Sequence, residues 1–152
     1  MDPKGFIGTA TVSIDNKGRT NLPRELKRQL SSDSEGKVIV SIFADKSLAL
    51  RPLQEWNRYV IEDLEPMAKK NKRNARFVMM VTSMAKLSEL DLQNRISLSN
   101  ELLNYAGIKR EVKFAGDGAR IRLWNPEVFN KLMLDSQEDP EDFEKPPSML
   151  LA

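Results

Sequence analysis

A stretch of ten residues near the amino terminus, 14–23, returns in altered form at residues 90–99. In each copy an apolar residue precedes an Asp, an Arg follows four positions after the Asp, and a Leu lies three positions beyond the Arg. The offset between the copies is 76, since 91 − 15 and 95 − 19 both give that value. A second likeness, between residues 50–58 and 123–131, has an offset of 73. Two matched motifs followed by matched helix starts indicate an internal repeat, so two related halves are expected.

Each copy of the motif is expected to form a strand, a tight turn and a second strand. Residues 6–14 alternate between two faces, and a period of two predicts a half-buried strand. Turn-forming residues follow, and Gly18 can take a positive φ. Asn94 stands at the equivalent place in the second copy, and Asn is the next best residue at positive φ. Pro23 suits the first position of a helix, so a short basic helix is expected over residues 24–30.

Each turn is flanked by an acid and a base that are close enough to contact each other. In the second copy the sequence leaves open whether Asp91 and Arg95 do more than hold their own turn. In the first copy, positive charge gathers around Asp15 in the turn and the helix that follows. Such a concentration is what a surface facing phosphate groups requires. The basic residues concerned are Lys17, Arg19, Arg24, Lys27 and Arg28.

These motifs resemble those of the MraZ family, which belongs to the AbrB-like, swapped-hairpin DNA-binding proteins. The likeness covers roughly residues 6–134. It is carried by the first motif with Leu22 and Pro23, by the second Asp91-xxx-Arg95, and by residues 111–114 leading to Leu123 and Trp124. Asn94 stands where the family has a Gly before the second Arg, and residues 78–86 replace a stretch of small residues.

The resemblance implies a mainly β fold with short helices, an α+β protein. Its two swapped-hairpin AbrB-like units would pack in one chain as a pseudo-two-fold barrel. It also implies a homo-oligomeric ring and a transcriptional regulator, usually a repressor, that binds double-stranded DNA. The expected targets are direct repeats upstream of the division and cell-wall gene cluster, and the expected location is the cytoplasm, in association with the nucleoid.

The domain organisation expected from the sequence has five parts. They are a first AbrB-like unit at residues 7–54, connecting helices at 55–82, a second AbrB-like unit at 83–127, a short helix at 128–134 and an acidic, disordered tail at 135–152. Within them, residues 53–65 are predicted to form an amphipathic helix that Pro66 ends or kinks. Arg120 and Arg122 are expected on the exposed face of a hairpin.

The distribution of charge supports an anionic partner. Residues 135–152 contain six acids and one Lys, a charge of −5, so residues 1–134 carry +2 − (−5) = +7. A basic body with an acidic tail is a sign of nucleic-acid interaction. The chain has no Cys and no His, which excludes disulfides, thiolate or histidine catalysis and the common zinc sites from the chain itself. The first residues do not resemble a signal peptide, and no run of eighteen apolar residues is found, so neither a signal peptide nor a membrane span is expected.

The leading hypothesis is therefore sequence-specific DNA binding, with no catalytic residues, cofactor, metal, membrane or small-molecule substrate. In it, Arg19 reaches a base edge or phosphate, Asp15 orients Arg19, and the other basic residues contact phosphates. The candidate DNA-binding set is Asp15, Lys17, Gly18, Arg19, Arg24, Lys27, Arg28, Asp91 and Arg95. The alternative is an AbrB-like oligomeric structural or antitoxin-type protein-interaction module whose turns serve assembly. An enzyme is not expected, because no nucleophile–base pair or cluster of metal ligands accompanies the acids.

Overall fold

The computed structural model describes residues 4–30 and 35–138. The strands are β1 (Thr9–Ser13), β2 (Arg19–Asn21), β3 (Lys37–Ile42), β4 (Leu48–Pro52), β5 (Lys86–Glu89), β6 (Arg95–Ser97), β7 (Glu111–Asp117) and β8 (Arg120–Trp124). The helices are α1 (Arg24–Lys27), α2 (Leu53–Tyr59), α3 (Glu65–Ala68), α4 (Lys72–Met84), α5 (Asn100–Ala106) and α6 (Pro126–Glu138), with a π-helical segment, Val60–Leu64, between α2 and α3. The α+β class with short helices is confirmed.

The two halves of the chain exchange strands with each other. The larger sheet has six strands in the order β1-β7-β8-β4-β3-β5, and β2 pairs with β6 in a separate two-stranded ribbon. The first strand of each half therefore pairs with the hairpin of the other half, β1 with β7 and β5 with β3. Replacing every strand by its counterpart in the other half reverses the order of the sheet. The topology thus has pseudo-two-fold symmetry.

The same symmetry holds at the level of single residues. In the ribbon, Arg19 lies opposite Ser97 and Asn21 lies opposite Arg95, with Thr20 facing Ile96 between them. If each residue of an outer pair is replaced by its counterpart in the other copy, 76 positions away, the result is the other outer pair. The pseudo-two-fold axis therefore passes through the central pair. In the large sheet, Ala49 faces Arg122 at the equivalent central position of the β4–β8 pair.

The core lies around the central strands of the large sheet. Strands β3 and β4 are buried along almost their whole length, because α2, α4 and α5 all pack against β3 and α2 also contacts β4. Strand β1 alternates exposed and half-buried residues, which confirms the pattern predicted for it. The largest fully buried apolar side chains include Phe114, Leu48, Leu50, Ile121 and Leu123. Strands from both halves contribute to this one core.

Pro66 was predicted to end or kink the helix after β4. The helix does not end there but continues to Ala68, with the π-helical segment Val60–Leu64 interrupting its α-helical pattern just before the proline. Proline lacks the amide that an α-helix needs, and its ring collides with the carbonyl four residues earlier. Here the backbone widens just before the proline, since the Glu65 amide bonds to the Val60 carbonyl five residues back. The α-helical pattern is therefore already interrupted where the missing amide falls, and the chain can continue as a helix.

Three further expectations need correction. Helix α4 extends to Met84, so the leading strand of the second half begins at Lys86 and not at residue 83. Arg122 is buried at 8% exposure, not on the exposed face. Helix α6 continues to Glu138, which makes residues 135–138 helical and not part of a disordered tail. The remainder of the predicted tail, 139–152, lies outside the described residues.

Candidate nucleic-acid interface

The first Asp–Arg turn is closed by its own acid. One carboxylate oxygen of Asp15 accepts hydrogen bonds from the backbone amides of Lys17 and Arg19, both at 2.9 Å. The other oxygen accepts from Nε of Arg19 at 2.8 Å. Gly18 has φ +78° and its amide donates to the Asp15 carbonyl at 3.0 Å. The turn is therefore rigid, with the guanidinium of Arg19 fixed at one edge.

The second turn repeats this geometry. Asp91 accepts from the amides of Gln93 and Arg95 at 2.9 and 2.8 Å, and from Nε of Arg95 at 2.7 Å. Asn94 takes the place of glycine with φ +61°, as the sequence predicts. The second turn, although altered in sequence, thus keeps the hydrogen bonds and the positive φ of the first turn.

Both arginines keep most of their hydrogen-bonding capacity for other molecules. Arg19 uses only Nε in a side-chain hydrogen bond to the described residues, and Arg95 adds only a long contact, 3.4 Å, from one Nη to Gln93. Their side chains are 37% and 31% exposed. A guanidinium presented in this way offers paired donors that match the acceptors of a guanine edge or the oxygens of a phosphate.

The turn acids remain ionised at neutral pH. The backbone amide of Arg19 is the main cause that lowers the pKa of Asp15, and the amide of Arg95 does the same for Asp91. Hydrogen bonds and the positive charge of the arginine side chains lower both pKa values further. Because each carboxylate stays charged, it can hold its arginine in one orientation.

The ribbon β2–β6 brings the two turns side by side on one surface. A small pocket of about 270 Å³ is lined by Arg19 and Arg95 together, with Lys86 of β5 beside them. The side-chain amide of Asn21 donates to the Gln93 carbonyl at 3.1 Å, which ties β2 to the second turn. The residues of the two motifs, distant in sequence by 76 positions, therefore form one continuous site.

The basic helix α1 lies against the second turn. A groove of about 740 Å³ is lined on one side by Arg24, Lys27 and Arg28 and on the other by Gln93 and Asn94. The Leu22 amide donates to the Asn94 carbonyl at 2.9 Å, and in the symmetric contact the Leu98 amide donates to the Gly18 carbonyl at 2.8 Å. Each turn is thus supported by the chain leading to the other half's helix, an exchange that the sequence did not predict.

This exchange changes how positive charge is shared between the turns. The first turn carries its own Lys17, whereas the second turn has no basic residue at its tip and lies beside α1 instead. From the sequence, the charge of α1 was expected to lie at the first turn, because the two are adjacent in the chain. The structure gives the second copy the stronger basic neighbourhood.

Two residues at the site were not singled out from the sequence. Lys86 lines the pocket between the two arginines, with its Nζ 3.3 Å from the hydroxyl of Ser97. Its counterpart in the first half, 76 positions earlier, is Ala10, so the repeat gave no signal for it. Leu92 is 99% exposed at the tip of the second turn and is the counterpart of Asn16 in the first copy. The sequence did contain a signal for Leu92, since it is an apolar residue among turn-forming residues.

Substitution of Gly18 by Ala is expected to destabilise the protein by about 2 kcal/mol. A Cβ on this residue would lie 2.4 Å from the Leu98 carbonyl oxygen, and the positive φ of +78° disfavours any side chain. The matched control is Gly118→Ala, at φ +66° with open space around the added Cβ, where about 1 kcal/mol is expected. Chemical denaturation of both variants measures the difference, and equal losses would mean that the turn relaxes away from Leu98.

Within residues 4–30 and 35–138, no group of three or more acidic, His or Cys side chains is arranged to hold a metal ion. None of the helices in those ranges has the length and apolar character needed to cross a bilayer.

Comparison with known proteins covers both halves of the chain. The model of the family described as "MraZ protein, putative antitoxin-like" matches residues 6–78 and 82–150. A protein of Marinobacter nauticus named transcriptional regulator MraZ is 32% identical, over 95% of this chain and 95% of its own length. Proteins with the same name from Nitratidesulfovibrio vulgaris and Christiangramia forsetii are 32% and 28% identical, over 88% and 90% of this chain and 89% and 88% of their own lengths. The similarity therefore includes both turns.

Proposed function

The chain belongs to the MraZ family, and from that premise we propose that it is a transcriptional regulator that binds double-stranded DNA through its two Asp–Arg turns. The observation that carries the proposal is the side-by-side placement of Arg19 and Arg95 on the β2–β6 ribbon, each held by an Asp and each presenting its Nη groups outward. The role given in the names of the relatives is not enzymatic, in agreement with the sequence expectation.

In this proposal the turns read the DNA and the surrounding lysines and arginines hold it. Arg19 and Arg95 contact base edges, with Asp15 and Asp91 fixing the two guanidinium planes. The rigid turns lower the entropy lost on binding, because the arginines are ordered before the DNA arrives. Lys17 at the first turn contacts phosphates. Phosphates are also contacted by Arg24, Lys27 and Arg28, which face the second turn across the groove. Lys86 lies in the pocket with the two arginines.

We further propose that the protein represses transcription from direct repeats upstream of the division and cell-wall gene cluster that contains its own gene. The fold proposed for this role is two swapped-hairpin units packed as a pseudo-two-fold barrel. The exchanged strand pairs and the β2–β6 ribbon support it. Residues 7–54 and 83–127 remain our proposed units, joined by residues 55–82.

We propose that several copies of the chain assemble into a ring, associated with the nucleoid. One pair of turns makes few contacts with DNA, whereas linked copies on adjacent repeats gain affinity through effective concentration. Two features support assembly. Strands β1 and β5 stand at the ends of the six-stranded sheet, and α6 exposes apolar side chains. Those side chains are Val128 at 50%, Leu132 at 40% and Leu134 at 58% exposure.

The second candidate function is an oligomeric protein-interaction module of the antitoxin type. The same exposed apolar residues of α6 favour it, since contiguous apolar surface marks sites of protein contact. Under this alternative the Asp–Arg turns serve assembly, and Arg19→Ala alters the mass of the oligomer without changing affinity for DNA.

The proposed function is tested by fluorescence anisotropy of the full chain with two labelled duplexes. One carries the sequence upstream of the protein's own operon, and the other has the same composition in scrambled order. We expect tighter binding to the operon duplex. If four basic residues neutralise phosphates, raising the salt from about 50 to 200 mM should weaken binding by about two orders of magnitude. Equal affinity for the two duplexes would contradict sequence-specific regulation and favour the interaction module.

A further inference from the structure

A second pocket lies away from the two turns, between the large sheet and the connecting helices. Its volume is about 600 Å³, within the range of sites that hold small molecules. Three aromatic side chains contribute to its wall, Phe43 after β3, Tyr59 of α2 and Phe77 of α4. The pocket therefore offers apolar and aromatic surface to an occupant.

The pocket also contains a buried arginine that has no acidic partner within the described ranges. Arg51 of β4 lines the pocket although the residue is only 1% exposed. Its guanidinium stacks on the Tyr59 ring at 3.6 Å from the centroid, and one Nη donates to the Ser41 hydroxyl at 3.2 Å. Among the described residues, no carboxylate lies within 4.0 Å of this guanidinium.

Burial lowers the pKa of Arg51 to about 10, which still leaves it charged at neutral pH. A buried charge without a counter-ion is costly, and proteins almost always pair such a charge or coordinate it. A second buried arginine of this chain provides a comparison with Arg51. Arg122 is buried to a similar degree, yet it contacts carboxylates of both Asp45 and Asp117, at 2.6 and 3.3 Å.

The rest of the lining adds to the positive charge. Lys70 also lines the pocket, as does Arg120, which contacts the Asp117 carboxylate at 3.2 Å. Two acids do so as well, but both are engaged by Arg58, Glu62 at 2.9 Å and Asp63 at 3.4 Å. The charge that the pocket offers to an incoming molecule is thus positive on an aromatic background.

We propose that this pocket binds a small organic anion. Its carboxylate or phosphate group pairs with Arg51 at the floor and with Arg120 and Lys70 at the rim, while its apolar or aromatic part lies against Phe43, Tyr59 and Phe77. We assign the anion the role of a ligand and not of a substrate, because the two acids that line the pocket, Glu62 and Asp63, are both engaged by Arg58. The proposal goes beyond DNA binding and uses none of the residues assigned to it.

Isothermal titration calorimetry of the full chain tests this site with phenyl phosphate, benzoate, inorganic phosphate and phenol as probes. We expect at least one of the two aromatic anions to bind at least tenfold more tightly than both phenol and inorganic phosphate, since only an aromatic anion satisfies both the charge and the apolar wall. Phenol binding as tightly as the anions would overturn the proposal. A preference between phenyl phosphate and benzoate identifies which anionic group the pocket selects.

Variants place the binding within the pocket. Arg51→Met keeps the length of the side chain but removes its charge, and it should lower the affinity for the aromatic anion at least tenfold. Lys70→Gln acts at the exposed rim, where folding is not at risk, and should lower that affinity about threefold. Lys69→Gln, a neighbouring exposed Lys outside the lining, should leave it unchanged. Unchanged affinity in both Arg51→Met and Lys70→Gln, or a loss caused by Lys27→Gln in the α1 groove, would refute this site.

Discussion

Replacing Arg19 and Arg95 together with Ala is expected to abolish the preference for operon DNA. Each arginine presents its Nη groups from a turn that an Asp holds rigid, so each can make a bidentate contact with a base. Such a contact is worth about 1–3 kcal/mol of discrimination, which makes the loss for the pair at least about 30-fold in affinity. Fluorescence anisotropy with operon and scrambled duplexes measures it, and the weak binding to the scrambled duplex should persist.

The matched control for this experiment is Arg58→Ala. Arg58 is also an exposed arginine held by carboxylates, those of Glu55, Glu62 and Asp63, but it lies on the connecting helix and not on the ribbon. We expect its affinity for both duplexes to match that of the wild type. The two single variants show which turn contacts bases. If Arg19→Ala loses the preference for the operon duplex and Arg95→Ala keeps it, only the first turn reads bases. Wild-type affinity in the double variant would mean that the turns are structural.

Replacing Arg122 with Met is expected to destabilise the protein by about 4 kcal/mol. The guanidinium lies at the centre of the β4–β8 pair, where it joins Asp45 of one hairpin turn to Asp117 of the other and also contacts the Ser47 hydroxyl. Burial alone would raise the pKa of Asp45, but hydrogen bonds from Ser47 and Arg122 outweigh it and lower the pKa. Without Arg122, Asp45 loses its only ionic partner among the described residues, and Asp117 keeps Arg120 alone, at 3.2 Å.

Thermal unfolding measures this loss, with a midpoint expected about 10 °C lower than that of the wild type. Arg51→Met is the control, since it removes an arginine that is also buried but has no carboxylate within 4.0 Å among the described residues. We expect that control to be nearly neutral in stability, because replacing a lone buried charge by an apolar side chain leaves no acid unpaired. An equal loss in both variants would show that packing of the arginine side chain, and not its pairing, accounts for the effect.

The sequence predicted the features that depend on short stretches of chain. The alternation of residues 6–14, the turn chemistry of Asp15 and Gly18, and the Asn at position 94 all describe interactions within a few residues of one another. The repeat extended those predictions to the second half, because equal local sequences favour equal local structures. The assignment to the α+β class came from the resemblance to the MraZ family.

The sequence did not predict the features that depend on contacts between the halves. Nothing in the order of residues shows that α1 lies beside the second turn, since that follows from the pairing of β2 with β6. The burial of Arg122 was missed for the same reason. On a hairpin considered alone its side chain alternates outward, whereas in the folded chain Phe43 and Asp45 of the other half lie against it. The π-helical turn before Pro66 was not predicted, because such a turn leaves no recognisable sequence pattern.

The strand exchange between the halves has a consequence for the direction in which DNA can be read. A dimer of identical chains would present two equal turns and would match palindromic half-sites. Here one chain carries both members of the pair, so the two turns are free to differ, with Lys17 and Gly18 in one and Gln93 and Asn94 in the other. Under the proposed function, two unequal turns give the protein a polarity on DNA. It would then distinguish a DNA sequence from its reverse complement, and sites repeated head to tail would suit it.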